Sequence, residues 1–165
     1  MCLLNTPHCS LLKHLPHKQY QDAIQLLQHY ILITDLANYF KCKYKLEKLP
    51  GKYNAGNIKH QKLLAGLLMT CSDLCQVTKP IDCAVSIAKL VFEEFHAQGD
   101  KEKEYGHPPS VMMDREKSNL RNEQISFHQH VALPTFKILS DIVPNTKHLY
   151  DSVIKLYEYW RSLPE

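Results

Sequence analysis

Residues 63–80, LLAGLLMTCSDLCQVTKP, constrain the fold more than any other stretch of the chain. On a helical wheel of about 100° per residue, Leu63, Leu64, Leu67, Leu68, Cys71, Leu74 and Cys75 form one broad apolar stripe. The opposite face holds Ala65, Gly66, Met69 and Val77, with Asp73 among them. A helix that is apolar nearly all round is normally enclosed by other elements. The run therefore predicts a helix over about 58–77, buried in a larger assembly and ended before Pro80.

The same rhythm recurs along the chain. Helices are predicted over about 18–40, over about 83–98, over about 122–143 with a kink at Pro134, and over about 146–162. Asp82 is read as the N-cap of the third of these five helices and Gly99 as its C′ residue. Pro50, Gly51 and Gly56 break the chain after the first helix. Residues 99–119 are polar and proline-marked, a long loop with one turn of helix. Loops longer than about 12–15 residues usually carry function or are disordered. No strand-length alternation, internal repeat or linker occurs, so the fold class is all-α and the 165 residues form one domain.

Composition excludes several classes. A chain this long buries roughly 68–70% of its unfolded surface, so its core needs no staples. A formal net charge of +3, with no arginine-rich stripe, gives no footprint for nucleic acid. Six cysteines, Cys2, Cys9, Cys42, Cys71, Cys75 and Cys83, form no CxxC pair and lie partly in apolar runs, so Cys71 and Cys75 are expected in the core. This usage points to a reduced, cytoplasmic protein. No apolar run is long enough for a membrane span, and MCLLNTPHCSLL is a poor signal peptide.

Three polar residues stand out. Asp73 has Met69, Thr70, Gln76 and Val77 as its neighbours at three and four residues, none of them cationic. If buried, its carboxylate needs a partner from elsewhere: a lysine, a helix-terminal N–H or a metal ion. In CAVSIAKLVFEEFHAQGD, Ala84, Ile87, Ala88, Val91 and Phe95 form the buried stripe, Glu93 projects away and Glu94 lies on the flank. Glu94 reads either as a partly buried surface residue or as a site group. Gln124 lines up with Phe127, Val131 and Ile138. Its amide both donates and accepts, which suits either backbone bonding at a helix start or the edge of a nucleobase. His128 and His130 are two apart and face different ways, and the charge run from Asp100 to Glu104 reads as solvated surface.

ILITDLANYF, LLMTCSDLCQVTKP, EEFHAQGDKE, MMDREK and EQISFHQHVALP together resemble the catalytic domain of class I cyclic nucleotide phosphodiesterases, from about residue 4 to 160. LNTPHC, HQKLLAGLLMT, MMDREK and QISF look most like the cGMP-stimulated, dual-specificity subtype. The resemblance implies an all-helical bundle that hydrolyses the 3′ phosphoester of cAMP or cGMP to the 5′ monophosphate, using zinc and a second divalent metal, magnesium or manganese. It implies that Asp73 is a zinc ligand, and that Glu94 orients a general-acid histidine. Gln124 would bond the purine edge. Phe127 and Val91 would clamp the base, with Leu74 and Met112 lining the pocket.

The departures are as informative. The family's HNxxH motif and its downstream His-Asp pair occur nowhere in this chain. His14-Leu15-Pro16-His17 has the spacing but no asparagine, and it contains a proline, so no metal is assigned to it. The chain is thus expected to be a partial catalytic domain, its C-terminal portion, inactive in isolation. Its implied partner is a cyclic nucleotide, with homodimerisation through upstream regions. The alternative is a regulatory or interaction fragment without catalysis.

Overall fold

Asp35 divides the first long helical run in two. Its Oδ1 accepts from the Ala37 N–H at 2.9 Å, an N-cap that starts a new helix. Asn38 Nδ2 donates back to the Leu32 carbonyl at 2.8 Å, which satisfies a terminal acceptor of the helix before it. Residues about 18–40 are therefore two helices, α1 (His17–Ile33) and α2 (Leu36–Glu47). The computed structural model describes Thr6, Cys9 and residues 11–164, and no strand occurs among them.

Helix α3 (Ile58–Asp73) is capped by Asn57, whose side chain accepts from the Lys59 N–H at 2.9 Å. It stops earlier than its apolar pattern predicts. Residues Cys75–Thr78 tighten into a 3₁₀ turn, closed by Thr78 Oγ1 donating to the Cys75 carbonyl at 2.7 Å. The change of pitch breaks the wheel. Cys75 turns outward while Val77 is buried, and Cys71 stays inside, where burial pushes its thiol up to about 12. Only one side of α3 is packed, since Leu68 and Met69 are exposed.

Helix α4 (Ile81–Glu104) is longer than expected at both ends. Pro80 occupies its N-cap position, so Asp82 lies in the first turn instead. Gly99 does not end it; Gly106 does, at φ +76°. There the Gly106 N–H reaches the Lys103 carbonyl at 3.0 Å and the His107 N–H reaches Glu102 at 2.8 Å, the paired closure of a Schellman motif. Gly99 serves another need. It is buried in mid-helix, where an added Cβ would overlap the Met113 carbonyl oxygen.

Residues 122–143 also divide. Helix α5 (Leu120–Phe127) passes into a π-helical turn, His128–Ala132, then into α6 (Leu133–Ile142). Pro134 has no N–H, and its ring crowds the carbonyl four residues back. The chain answers with a wider turn, the Leu133 N–H reaching the His128 carbonyl. Helix α7 (Lys147–Ser162) completes the bundle.

The core lies where α6 and α7 meet α2, α3 and α4: Phe136, Leu139, Val153, Leu156, Trp160, Tyr39, Leu67 and Ala88 are all buried. Thr135 Oγ1 donates to the Val131 carbonyl at 2.6 Å and shares a 2.8 Å hydrogen bond with the Tyr39 hydroxyl, tying α6 to α2. By contrast α1 buries no residue, and Leu26, Ile31 and Leu32 remain exposed.

The Gly99 contact yields a test. Gly99→Ala must drive the 111–113 turn off α4, at a cost of about 1–3 kcal/mol, typical of overpacking. A melting temperature lower by several degrees is expected, measured by circular dichroism; a melt identical to the parent would refute the close packing.

Candidate functional site

The end of α3, the middle of α4, the 3₁₀ turn Val111–Met113 and the inner face of α5 enclose one largely apolar cavity of about 310 Å³. That volume is at the small end of ligand pockets. Leu74 enters from the end of α3, Val91 from α4, Met112 from the 3₁₀ turn, and Gln124 and Phe127 from α5. All five residues singled out for binding therefore line the same space.

Local structure explains the convergence. Asn119 caps α5 by accepting from the Asn122 N–H at 3.0 Å, which sets the helical phase. Gln124 and Phe127, three apart, then share a face. On α4, Ala84, Ala88, Val91 and Phe95 follow the same helical spacing and line the cavity with Phe92. The Gln124 side-chain amide has no protein partner among the described residues, so both its donor and its acceptor are free for a ligand. Its backbone carbonyl accepts twice from His128, from the backbone N–H and from Nδ1 at 2.7 Å.

Met112 is held in the wall by the charges around it. Asp114 is buried, and its Oδ1 accepts from Lys103 Nζ at 2.7 Å and from the Glu116 N–H at 3.1 Å. Lys117 Nζ stands 3.3 Å from Oδ2. These bonds, that from Lys103 foremost, hold the Asp114 carboxyl down to about 2. Arg115 bridges Asp100 at 2.9 Å and Glu93 at 3.0 Å. Residues 100–104 are largely solvated, as expected, and two of them do more: Asp100 and Lys103 clamp the following loop onto α4. The pairs that join the loop to α4, Lys103–Asp114, Arg115–Asp100 and Arg115–Glu93, lie 11 to 22 residues apart in sequence, beyond any helical-neighbour rule, so periodicity carries no signal for them.

The two carboxylates singled out for chemistry lie elsewhere. Asp73, the last residue of α3, is exposed, and so is Glu94. Neither has an ion pair or a side-chain hydrogen bond among the described residues. The expectation that Asp73 sits in an apolar interior is therefore overturned. The helix wheel treated α3 as enclosed, but its Leu68–Met69 and Ser72–Asp73 side meets solvent. A solvated carboxylate needs no compensating partner. Glu93 does face outward as expected, to meet Arg115. His128 is buried while His130 is exposed.

No group of three or more His, Cys, Asp or Glu among the described residues could hold a metal ion. Zinc normally takes four ligands. The residues present do not by themselves fit the two-metal centre that the resemblance implies. No described helix is long and apolar enough to cross a membrane.

Several cavity residues went unread in the sequence. Phe92 follows Ala88 by four residues and was within reach of the wheel. Leu36 and Leu156 come from the far ends of the chain, and no local pattern places them together.

Residues 1–153 match the family described as 3'5'-cyclic nucleotide phosphodiesterase. The chain therefore belongs to the cyclic nucleotide phosphodiesterase family. It is 32% identical over 167 aligned positions to a cGMP-specific 3',5'-cyclic phosphodiesterase of Drosophila melanogaster, and to the same degree to that of Drosophila pseudoobscura pseudoobscura. Each match covers 99% of this chain and 15% of the relative. The chain thus spans about a seventh of the length of these curated relatives.

The Asp114 cluster predicts a pH dependence. Unfolded carboxyls titrate near 4, and the folded one is held at about 2. The stabilisation is present above about pH 4 and is lost as pH falls through 2. Asp114→Asn should lower the melting temperature at pH 7, with the gap from the parent closing between pH 4 and 2. A gap independent of pH would refute this linkage.

Proposed function

We propose that these 165 residues form the purine-holding part of a cyclic-nucleotide phosphodiesterase catalytic domain, whose reaction is hydrolysis of the 3′ phosphoester to the 5′ monophosphate. The observation that carries this reading is the pairing of Gln124 and Phe127 on one wall of an apolar cavity, opposite α4 with Val91. Phe127 stacks on the base, an interaction worth roughly 1–3 kcal/mol, and the apolar wall excludes water. The free Gln124 amide reads the purine edge. Because an amide can rotate, it accepts either adenine or guanine. That fits a dual-specificity, cGMP-stimulated subtype, whereas the named relatives are cGMP-specific enzymes.

In a complete domain Asp73 would be one of the residues holding zinc and magnesium or manganese, which would supply the attacking hydroxide; the other ligands are not among the residues of this chain. Glu94 orients a general-acid histidine likewise supplied from outside. The free thiols of Cys9, Cys42, Cys71, Cys75 and Cys83 support a reducing, cytoplasmic setting. Dimerisation would use regions upstream.

A second reading, a regulatory fragment that binds nucleotide without cleaving it, is favoured by the solvent exposure of Asp73 and Glu94.

Titration of the chain with a fluorescent cGMP analogue tests the cavity. Gln124→Ala and Phe127→Ala should each raise Kd about tenfold, a loss of about 1.4 kcal/mol; unchanged affinity in both would sink the purine reading. For the metal, calorimetry should find no stoichiometric zinc, and cAMP and cGMP should not turn over with zinc and magnesium added. Tight one-to-one zinc binding abolished by Asp73→Asn, or robust hydrolysis, would show that the chain is sufficient by itself.

A further inference from the structure

His128 is fully buried in the π-helical turn directly behind the cavity's glutamine and phenylalanine. Its ring does three things at once. Nδ1 lies 2.7 Å from the Gln124 carbonyl, an oxygen that can only accept, so Nδ1 carries the hydrogen. The ring meets Phe127 edge-on, with centroids 5.8 Å apart at 89°. It also stacks on Tyr157 of α7 at 6.3 Å and 24°. Tyr157 is fixed in turn, its hydroxyl accepting from Gln129 Nε2 at 2.7 Å.

The remaining nitrogen, Nε2, is buried and has no partner among the described residues. A protonated ring would place an unmatched charged donor there, and burial holds the pKa of His128 below the ordinary histidine value. The residue is thus a neutral imidazole of one tautomer, spent on internal bonds. Core packing alone would be served by an apolar side chain, without leaving a polar atom unpaired at Nε2. What an apolar side chain lacks is the Nδ1–H reaching back four residues, just where Pro134 has forced the helix out of α geometry.

We propose that His128 is the positioning residue of the base clamp: its Nδ1–H on the Gln124 carbonyl, its edge-on contact with Phe127 and its stacking on Tyr157 hold the turn from 124 to 127 in the register that aims the amide and the ring into the cavity. The assignment rests on reading that cavity as a purine site. It adds a part that touches no ligand and acts through two residues that do.

Nitrogen-15 NMR of the histidine-labelled chain tests it, together with NMR of two variants labelled at the glutamine side-chain nitrogen and the phenylalanine ring carbons. In the parent protein the His128 ring should be the neutral Nδ1–H tautomer at pH 7. This measurement needs no variant, and an Nε2–H tautomer would overturn the proposal. His128→Phe keeps an aromatic ring but loses the anchor. It should split or broaden the Gln124 amide and Phe127 ring signals and weaken the fluorescent cGMP analogue about tenfold. His128→Asn offers an amide N–H in place of Nδ1–H, and it should restore single signals and most of the affinity despite its smaller volume. The reverse order, with Phe tolerated and Asn damaging, would make His128 packing only and refute the role. Should the parent bind no nucleotide while the NMR pattern holds, the purine reading fails and the anchoring of residues 124–127 stands.

Discussion

At Gly99 the backbone of α4 and the carbonyl of Met113 approach so closely that no side chain fits between them. The cavity depends on this contact. It lets the loop after α4 fold back along the helix it has just left, so that Met112 closes a wall that α4 opens with Val91 and Phe95. The approach is then locked by charge. Asp114 gathers two lysines and a backbone N–H, and Arg115 spans two carboxylates of α4. Exposed ion pairs contribute little singly; here several act on one short segment, and the buried carboxylate gives them a fixed centre.

The opposite wall depends on a missing hydrogen-bond donor. Pro134 cannot continue the ladder, and the turn before it widens to π geometry. This moves His128 fully inside and leaves it to bond the Gln124 carbonyl. One backbone defect therefore reaches the site: it places the His128 ring between Phe127 and Tyr157, behind the pair of side chains facing the cavity. Such turns are frequent at functional sites.

The two halves of the expected chemistry separate in space and in support. The residues proposed to hold the base meet in one cavity, whereas Asp73 and Glu94 stand in solvent without partners among the described residues. Physically these are different demands. A base pocket is made by apolar packing between helices that the chain itself supplies. A metal centre requires several charged ligands to be brought together against their mutual repulsion, and no three are assembled among the described residues.

The all-α class, the face shared by Gln124 and Phe127, and the stripe through Ala84, Ala88 and Val91 were set by side-chain periodicity, because a helix repeats every 3.6 residues whatever surrounds it. Where helices stop was only partly legible. Thr34-Asp35 carries a cap signal inside an unbroken apolar pattern, and Gly99 and Gly106 are equivalent as letters until the backbone shows which one turns left-handed. Tertiary structure alone decided that Asp73 faces water, that Cys75 leaves the core while Val77 enters it, and that Asp100, Lys103, Asp114 and Arg115 form one clamp. Burial and ion pairing arise from elements distant in sequence, and a wheel drawn for one helix contains no information about which of its sides a neighbour will cover.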